Sequence, residues 1–397
     1  MSILPARLLL AGALALAVSA CSAAPGDVRG TFKAEGLPQV DVTIAFQAGH
    51  AGDADRYRYA AFTTLRILGD WLVPFPDAGL SIAAEPTRWW TAPAAMAPEF
   101  AVARVVSRRY WDRVVDTRAL PPWFVGGLSE YSARRAVSKI VDERYFAIYR
   151  SRAEGRYFGG FVPRDLRAPL RYEDEGDPVG DYRASPNSAT ESVLGAKAML
   201  TLGTLERWTG RPVFDAIMLE FVRASAGSSP TLDDFARVAA RVSGQDLSWL
   251  FDATLKGSGA FDYGLGNVES QRQPDGSYRT TVTVRRLGDG IFSGANAAAD
   301  GPFEHGRGIA LQTTFADGET VRDGWDGRSR ERTFEYHSQS RALSAEVDPD
   351  RVLLLDLNRS NNGVALETTA AQSAAGRWSA RWMLWLEDAL LTYVSLT

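Results

Sequence analysis

The hydrophobic pattern of this 397-residue chain changes its period after residue 257, and that change constrains the fold more than any other feature. Between residues 188 and 257, apolar side chains recur every three to four residues, which is typical of amphipathic helices. From residue 278 to residue 357 they alternate with polar side chains, as in strands that bury one face. A helical region followed by a run of strands predicts an α+β fold.

Short local motifs predict where these elements begin and turn. Asp275-Gly276 and Asp317-Gly318 are typical hairpin turns, so the strands are expected to form a β-sandwich. The predicted strands are Tyr278–Arg286, Gly308–Phe315, Thr333–His337, Leu343–Val347 and Val352–Leu357. Residues that favour helix starts are Ser188 with Glu191, Pro212, and Thr231 with Asp234.

The N-terminal half mixes both periods and predicts an alternation of strands and helices. The predicted elements are a strand over Val40–Gln47, a helix over Tyr57–Leu72, a strand over Leu80–Ala84, a helix over 97–115 and a helix after Pro121-Pro122.

Residues 1–21 have the pattern of a secretory signal peptide. Arg7 precedes an apolar run from Leu8 to Val18, which is too short to span a bilayer. Val18-Ser19-Ala20-Cys21 resembles a bacterial lipobox, in which the cysteine carries the lipid; the alternative is an ordinary signal peptide with a coincidental cysteine. We therefore expect a protein anchored through Cys21 in the bacterial cell envelope, at the outer membrane facing the periplasm.

Charge and cysteine content exclude several classes of function. The formal net charge of −4 gives no electrostatic footprint for nucleic acid, so no such partner is expected. Cys21 is the only cysteine, so once it is lipidated no thiol remains for disulfides, cysteine catalysis or a thiolate metal site.

The predicted organisation has five parts. Apolar and charged residues in the last part predict an amphipathic helix with Trp378, Trp382 and Trp385, which either docks on the body or lies in a lipid surface. The parts are the signal peptide 1–21, a tether 22–39, a mixed body 40–265, a β-sandwich 266–360 and the helical tail 361–397.

Two aromatic segments of the body match the frame of a known pair of motifs. Tyr110-Trp111 ends the first, and the run from Trp123 to Tyr131 corresponds to the second. With similar helices downstream, around 194–200 and 242–251, this frame resembles the membrane alanyl aminopeptidase family of gluzincin zinc peptidases over roughly residues 40–360. The resemblance implies a thermolysin-like body.

The residues that carry the family's chemistry are replaced. The resemblance places the first zinc-binding histidine at Arg104, the base glutamate at Val105, the second histidine at Arg108, the third ligand at Gly126 and the catalytic tyrosine at Ser192. Arginine stays protonated and offers no lone pair, so these positions cannot ligate zinc. The chain's three histidines have no ligand spacing, and we expect neither zinc nor another cofactor.

The arginines themselves are candidate binding residues. Arg104, Arg108 and Arg109 lie on one predicted helix and could hold a carboxylate in the former cleft, while Glu130 and Tyr131 of the next helix could form an acid/base pair. Alternatively, one arginine forms a structural salt bridge with Glu130 or a nearby aspartate.

These observations predict a pseudopeptidase that binds a peptide, a protein or another envelope component. Two alternatives remain: an active hydrolase with a rebuilt site, and a structural envelope subunit whose cleft has been filled.

The anchoring hypothesis predicts that Cys21→Ser moves the protein from the membrane to the soluble fraction, because the lipid-bearing sulfur is gone. Fractionation and fatty-acid labelling measure this effect. A wild-type chain that takes up no label would contradict the hypothesis.

Overall fold

The computed structural model describes residues 26–47, 49–84, 97–144, 188–294 and 308–366. Cys21 with the predicted signal peptide, and the predicted tail helix with Trp378, Trp382 and Trp385, lie outside the described residues. Within the described ranges, no helix is both long enough and apolar enough to cross a bilayer.

A small sheet opens the described chain. Strand β1 (Gly26–Ala34) forms an antiparallel hairpin with β2 (Leu37–Phe46), and β3 (Gly79–Ala83) pairs parallel to β2. The predicted tether over 22–39 is therefore wrong from residue 26 onward. The hydrophobic pattern of β1 is faint because it is an edge strand in which only Phe32 is fully buried.

Seven helices of the described chain form the rest of the body, and those predicted from periodicity are present. They are α1 (Ala54–Trp71), α2 (Ala97–Val114), α3 (Pro122–Arg144), α4 (Ser188–Thr209), α5 (Arg211–Ala224), α6 (Leu232–Ser243) and α7 (Ser248–Phe251), which continues as a π-helical turn over Asp252–Lys256.

Two of the predicted helix starts are confirmed. Pro212 lies in the first turn of α5, and Thr231 with Asp234 forms a reciprocal capping box at α6. Helix α4 begins at Ser188 as predicted, but the Ser188 and Glu191 side chains lie outside the described part of the structure.

The C-terminal strands form two sheets that pack on each other, so the α+β class is confirmed. One sheet has the order β10-β9-β6-β7 and the other β4-β5-β8. The strands are β4 (Tyr263–Arg272), β5 (Tyr278–Arg286), β6 (Ile309–Phe315), β7 (Thr320–Trp325), β8 (Glu331–Ser338), β9 (Ala342–Val347) and β10 (Gly363–Ala365).

Contacts between the sheets join them into a sandwich. The main-chain N–H of Ala342 donates to Ser270 Oγ at 3.1 Å, and the rings of Phe315 and Tyr336 meet edge to face. Because β4 begins before residue 266 and β10 lies beyond residue 360, the sandwich extends past both predicted boundaries.

The predicted strand Val352–Leu357 is wrong, because this segment is a loop that docks on the helical body. Its N–H groups bond outside any ladder: Val352 and Leu353 donate to the Asp348 carboxylate, and Leu354 donates to Thr204 Oγ1 of α4 at 3.1 Å. Leu353, Leu354 and Leu355 are buried. The apolar run that suggests a strand instead packs between the body and the sandwich.

Asp356 lies in the same loop and makes the stability of the protein depend on pH. Its carboxylate accepts from Asn362 Nδ2 at 2.9 Å, and burial raises its pKa from 3.8 to about 6. The folded state therefore holds this proton to a higher pH than the unfolded state, so stability present below pH 4 is lost as pH rises through about 6.

We predict that this loss, which amounts to about 2 kcal/mol between pH 4.5 and pH 7.5, is absent in Asp356→Asn. Urea unfolding of both proteins at pH 4.5 and at pH 7.5 measures this loss. The free energy of unfolding of the wild type minus that of the variant should fall by this amount from pH 4.5 to pH 7.5. Exposed Asp275 has a lowered pKa, so Asp275→Asn should follow wild type over this range. A constant difference between wild type and Asp356→Asn would contradict the assignment.

Candidate functional site

Helices α2 and α3 bring the predicted arginines and Glu130 to one face of the body. The buried face of α2 includes Phe100, Val106 and Tyr110, which leaves Arg104 and Arg108 one turn apart on the more polar side. Arg104 Nε lies 2.8 Å from Glu130 Oε2 on α3.

Glu130 is held by two guanidinium groups. Besides Arg104, Arg134 donates from Nη2 to Glu130 Oε1 at 3.2 Å, one turn further along α3. All three side chains are only partly exposed, so water screens this cluster less than it would screen an ion pair at the open surface. The Arg104–Glu130–Arg134 cluster therefore ties α2 to α3.

The other two predicted arginines do not join this cluster. Arg108 pairs along its own helix with Asp112 at 3.2 Å, and both Arg108 and Arg109 are exposed. Of the predicted set, the structure thus brings together Arg104 and Glu130 and leaves Arg108 and Arg109 exposed outside this cluster.

The remaining positions at which the family resemblance places catalytic groups offer no metal ligand. Val105 packs against the hydrophobic core, and Gly126 has no side chain. The backbone of Ser192 is in α4, but its side chain lies outside the described residues. With arginines at the histidine positions, this set of residues does not fit zinc. Across the described ranges, no cluster of three histidine, cysteine or acidic side chains could hold a metal ion.

The space at Gly126 is open. A Cβ built there meets no heavy atom of the described residues within 4 Å, whereas one built at the next residue, Gly127, lies 2.5 Å from Ala198 Cβ. The two glycines therefore have different roles: Gly127 allows α3 and α4 to approach closely, and Gly126 borders empty space one turn before Glu130.

The aromatic residues that carry the family resemblance have structural partners. Tyr110 Oη donates to the carbonyl of Val73 and accepts from its N–H, which secures the chain after α1. Trp111 Nε1 donates to Ser132 Oγ at 2.9 Å and joins α2 to α3. These residues support the framework and do not themselves form a reactive group.

Tyr131 lies beside a cavity of about 280 Å³ between α2, α3, α4 and α5. Its hydroxyl donates to Glu206 Oε2 at 2.6 Å, and burial, together with the nearby Glu206 carboxylate, raises the pKa of Tyr131 well above its usual value. The phenol therefore stays protonated and acts as a donor. Much of the cavity wall is apolar and comes from Phe100, Val137, Met199, Leu200 and Leu354.

Four arginines also line this cavity: Arg134, Arg135, Arg207 and Arg211. Arg135 forms a two-pronged ion pair with Asp215, at 2.5 and 2.8 Å, and stacks on the Trp71 ring at 4.0 Å. Arg211 Nε lies 3.9 Å from Glu206 Oε1. Hence the cavity combines an apolar wall with a basic, partly compensated mouth.

Most of this cavity is not apparent from the sequence. Tyr131 was predicted, but Arg134, Arg135, Glu206 and Arg207 were not. A usable signal existed for two of them, because Arg134 and Arg135 follow Glu130 and Tyr131 at four-residue spacing and so share their faces of α3. Nothing local marks Glu206 or Arg207, which are close to Tyr131 only because α4 packs on α3.

No protein-family model matches this chain, and no curated protein matches it either. Among solved structures, the chain is similar to the crystal structure of Legionella pneumophila aminopeptidase A in complex with aspartic acid, with a TM-score of 0.49 and 11% sequence identity. The match covers 84% of this chain and 38% of that chain, so this chain spans well under half the length of that enzyme.

The neighbouring glycines give a matched pair of substitutions. Gly126→Ala should stabilise the protein by about 0.5–1 kcal/mol, because alanine favours the helix and its methyl group meets open space. Gly127→Ala should destabilise it by about 1–3 kcal/mol, because the methyl group overlaps Ala198 and α4 must move. Thermal and urea unfolding measure both changes, and effects of the same sign would contradict the assigned roles.

Proposed function

We propose that this protein is a catalytically inactive, metallopeptidase-like protein of the bacterial envelope. In this proposal it is held to the membrane by the lipid on Cys21 and binds a peptide, protein or other envelope component through its helical body. The observation that carries the proposal is the Arg104–Glu130–Arg134 cluster, which lies where the resemblance would place a zinc centre.

The cluster opposes catalysis on chemical grounds. Hydrolysis by a metallopeptidase needs three protein ligands, a bound water and a carboxylate base. Guanidinium groups cannot ligate a cation and repel it, while Val105 has no group that can accept a proton. The Glu130 carboxylate is engaged by Arg104 and Arg134.

Open space near this cluster favours binding over a purely structural role. A filled cleft would place side chains against Gly126, but among the residues that the structure describes none comes within 4 Å of a Cβ built there. The cavity beside Tyr131 adds a second, partly apolar space on the same pair of helices. Binding proteins typically keep such spaces, whereas structural subunits tend to pack them.

The proposal predicts that the purified protein holds no stoichiometric zinc and cleaves no peptide. Elemental analysis of untagged protein, with turnover of a peptide mixture before and after added zinc and after a chelator, measures both. The single replacements Arg108→His and Gly126→Glu should restore neither property, because each supplies only one of several missing groups. One zinc per chain with chelator-sensitive cleavage would favour the active hydrolase instead.

A further inference from the structure

We infer that the cavity beside Tyr131 binds a small monocarboxylate that has an apolar body, such as the end of a peptide or a short acyl chain. This inference deepens the proposed function and rests on it, since it names the ligand chemistry of a non-catalytic binding protein. It is carried by the shape of the cavity, its apolar wall and its charges.

The size of the cavity suits the end of a ligand. Its volume of about 280 Å³ is at the lower limit of small-molecule sites, which run from roughly 300 to 1,000 Å³. Val137, Met199 and Leu200 come from two different helices and offer a wall without hydrogen-bonding groups. An aliphatic side chain or a short hydrocarbon would be removed from water there.

The sandwich closes part of the same wall. Leu354 reaches the cavity from the docked loop and packs on Gly203 of α4, where an added Cβ would lie 2.6 Å from Leu354 Cδ1. The main-chain N–H of Leu354 donates to Thr204 Oγ1, which holds this contact in place. The apolar end of the cavity is thus bounded by body and sandwich together.

The charges at the mouth select a singly charged anion. Of the four arginines, Arg134 is matched by Glu130 and Arg135 by Asp215, both from outside the cavity lining. Within the lining, Arg207 and Arg211 face one carboxylate, Glu206.

Among the lining residues that the structure describes, this arrangement leaves one positive charge in excess. The Asp348 carboxylate favours the charged form of Arg207, and the Arg351 guanidinium disfavours it. Arg207 itself donates to the main-chain carbonyl of Arg351, which carries no formal charge. The ligand is therefore a carboxylate and not a doubly charged phosphate, and Arg207 and Arg211 are the groups that bind it.

The Tyr131–Glu206 pair sets the polarity of the remaining wall. The Tyr131 hydroxyl donates its hydrogen to Glu206. The Glu206 carboxylate disfavours a ligand that carries a second negative charge beside its carboxylate. A ligand with one terminal carboxylate and no other charge fits both conditions.

Titration calorimetry of the full chain tests the inference with three probes: N-acetyl-alanyl-leucine, its C-terminal amide, and octanoate. We expect the free dipeptide acid, octanoate, or both to bind, which identifies the source of the carboxylate. The amide should bind at least about tenfold more weakly, because it lacks the charge that the arginines recognise.

Variants locate the binding. Arg211→Gln is at the surface and should weaken carboxylate binding about fivefold to tenfold without unfolding the protein. Arg207→Gln should weaken it similarly. Ser138 also lines the cavity, so Ser138→Leu should weaken binding by filling the space. Arg223→Gln, an exposed position near the end of the same helix as Arg211, is the matched control and should bind like wild type.

Three results would overturn the inference: no carboxylate binding at millimolar concentration, equal binding of acid and amide, or equal weakening by Arg211→Gln and Arg223→Gln. The proposed function fails separately, through stoichiometric zinc and peptide cleavage. The N-acetyl probe carries no free amine, so its binding reports on the arginine site alone.

Discussion

The close approach of α3 and α4 at Gly127 is the constraint on which the candidate sites depend. A residue with a Cβ at this point would overlap Ala198, so only glycine lets the two backbones pack at this distance. Because α3 carries Glu130 and Tyr131 on adjacent positions, one face of the helix turns toward α2 and another toward α4. The separation of these helices therefore decides which groups each side chain meets.

This arrangement places two charged regions on neighbouring faces of α3. On the α2 side, Arg104 and Arg134 hold Glu130; on the α4 side, Tyr131 reaches Glu206. In both regions the carboxylate is matched by nearby donors, which is the condition under which a partly buried charge is tolerated. The described part of α3 thus presents guanidinium and hydroxyl donors on both of these sides.

The sandwich contributes to the cavity through the loop that docks on the helical body. In its loop between Asp348 and Asp356, the main-chain N–H groups of Val352 and Leu353 donate to the Asp348 carboxylate, and that of Leu354 donates to Thr204 Oγ1. The Leu354 side chain forms part of the cavity wall. The cost is two carboxylates whose pKa values are raised by burial to about 6. The junction between the two parts of the fold therefore contains two buried carboxyl groups with raised pKa values.

The sequence by itself determined the class of the long helices and of most strands, and the absence of zinc-binding side chains at the positions that the resemblance assigns, because periodicity, caps and side-chain chemistry are local properties. Helices such as α6 and hairpin turns such as Asp275-Gly276 follow from a few adjacent residues. The tertiary structure alone decided that Arg104 and not Arg108 meets Glu130, that 352–357 is a docked loop, and that Tyr131 shares a cavity with Glu206 and Arg207. Those outcomes depend on how segments tens or hundreds of residues apart pack, and no local pattern carries that distance.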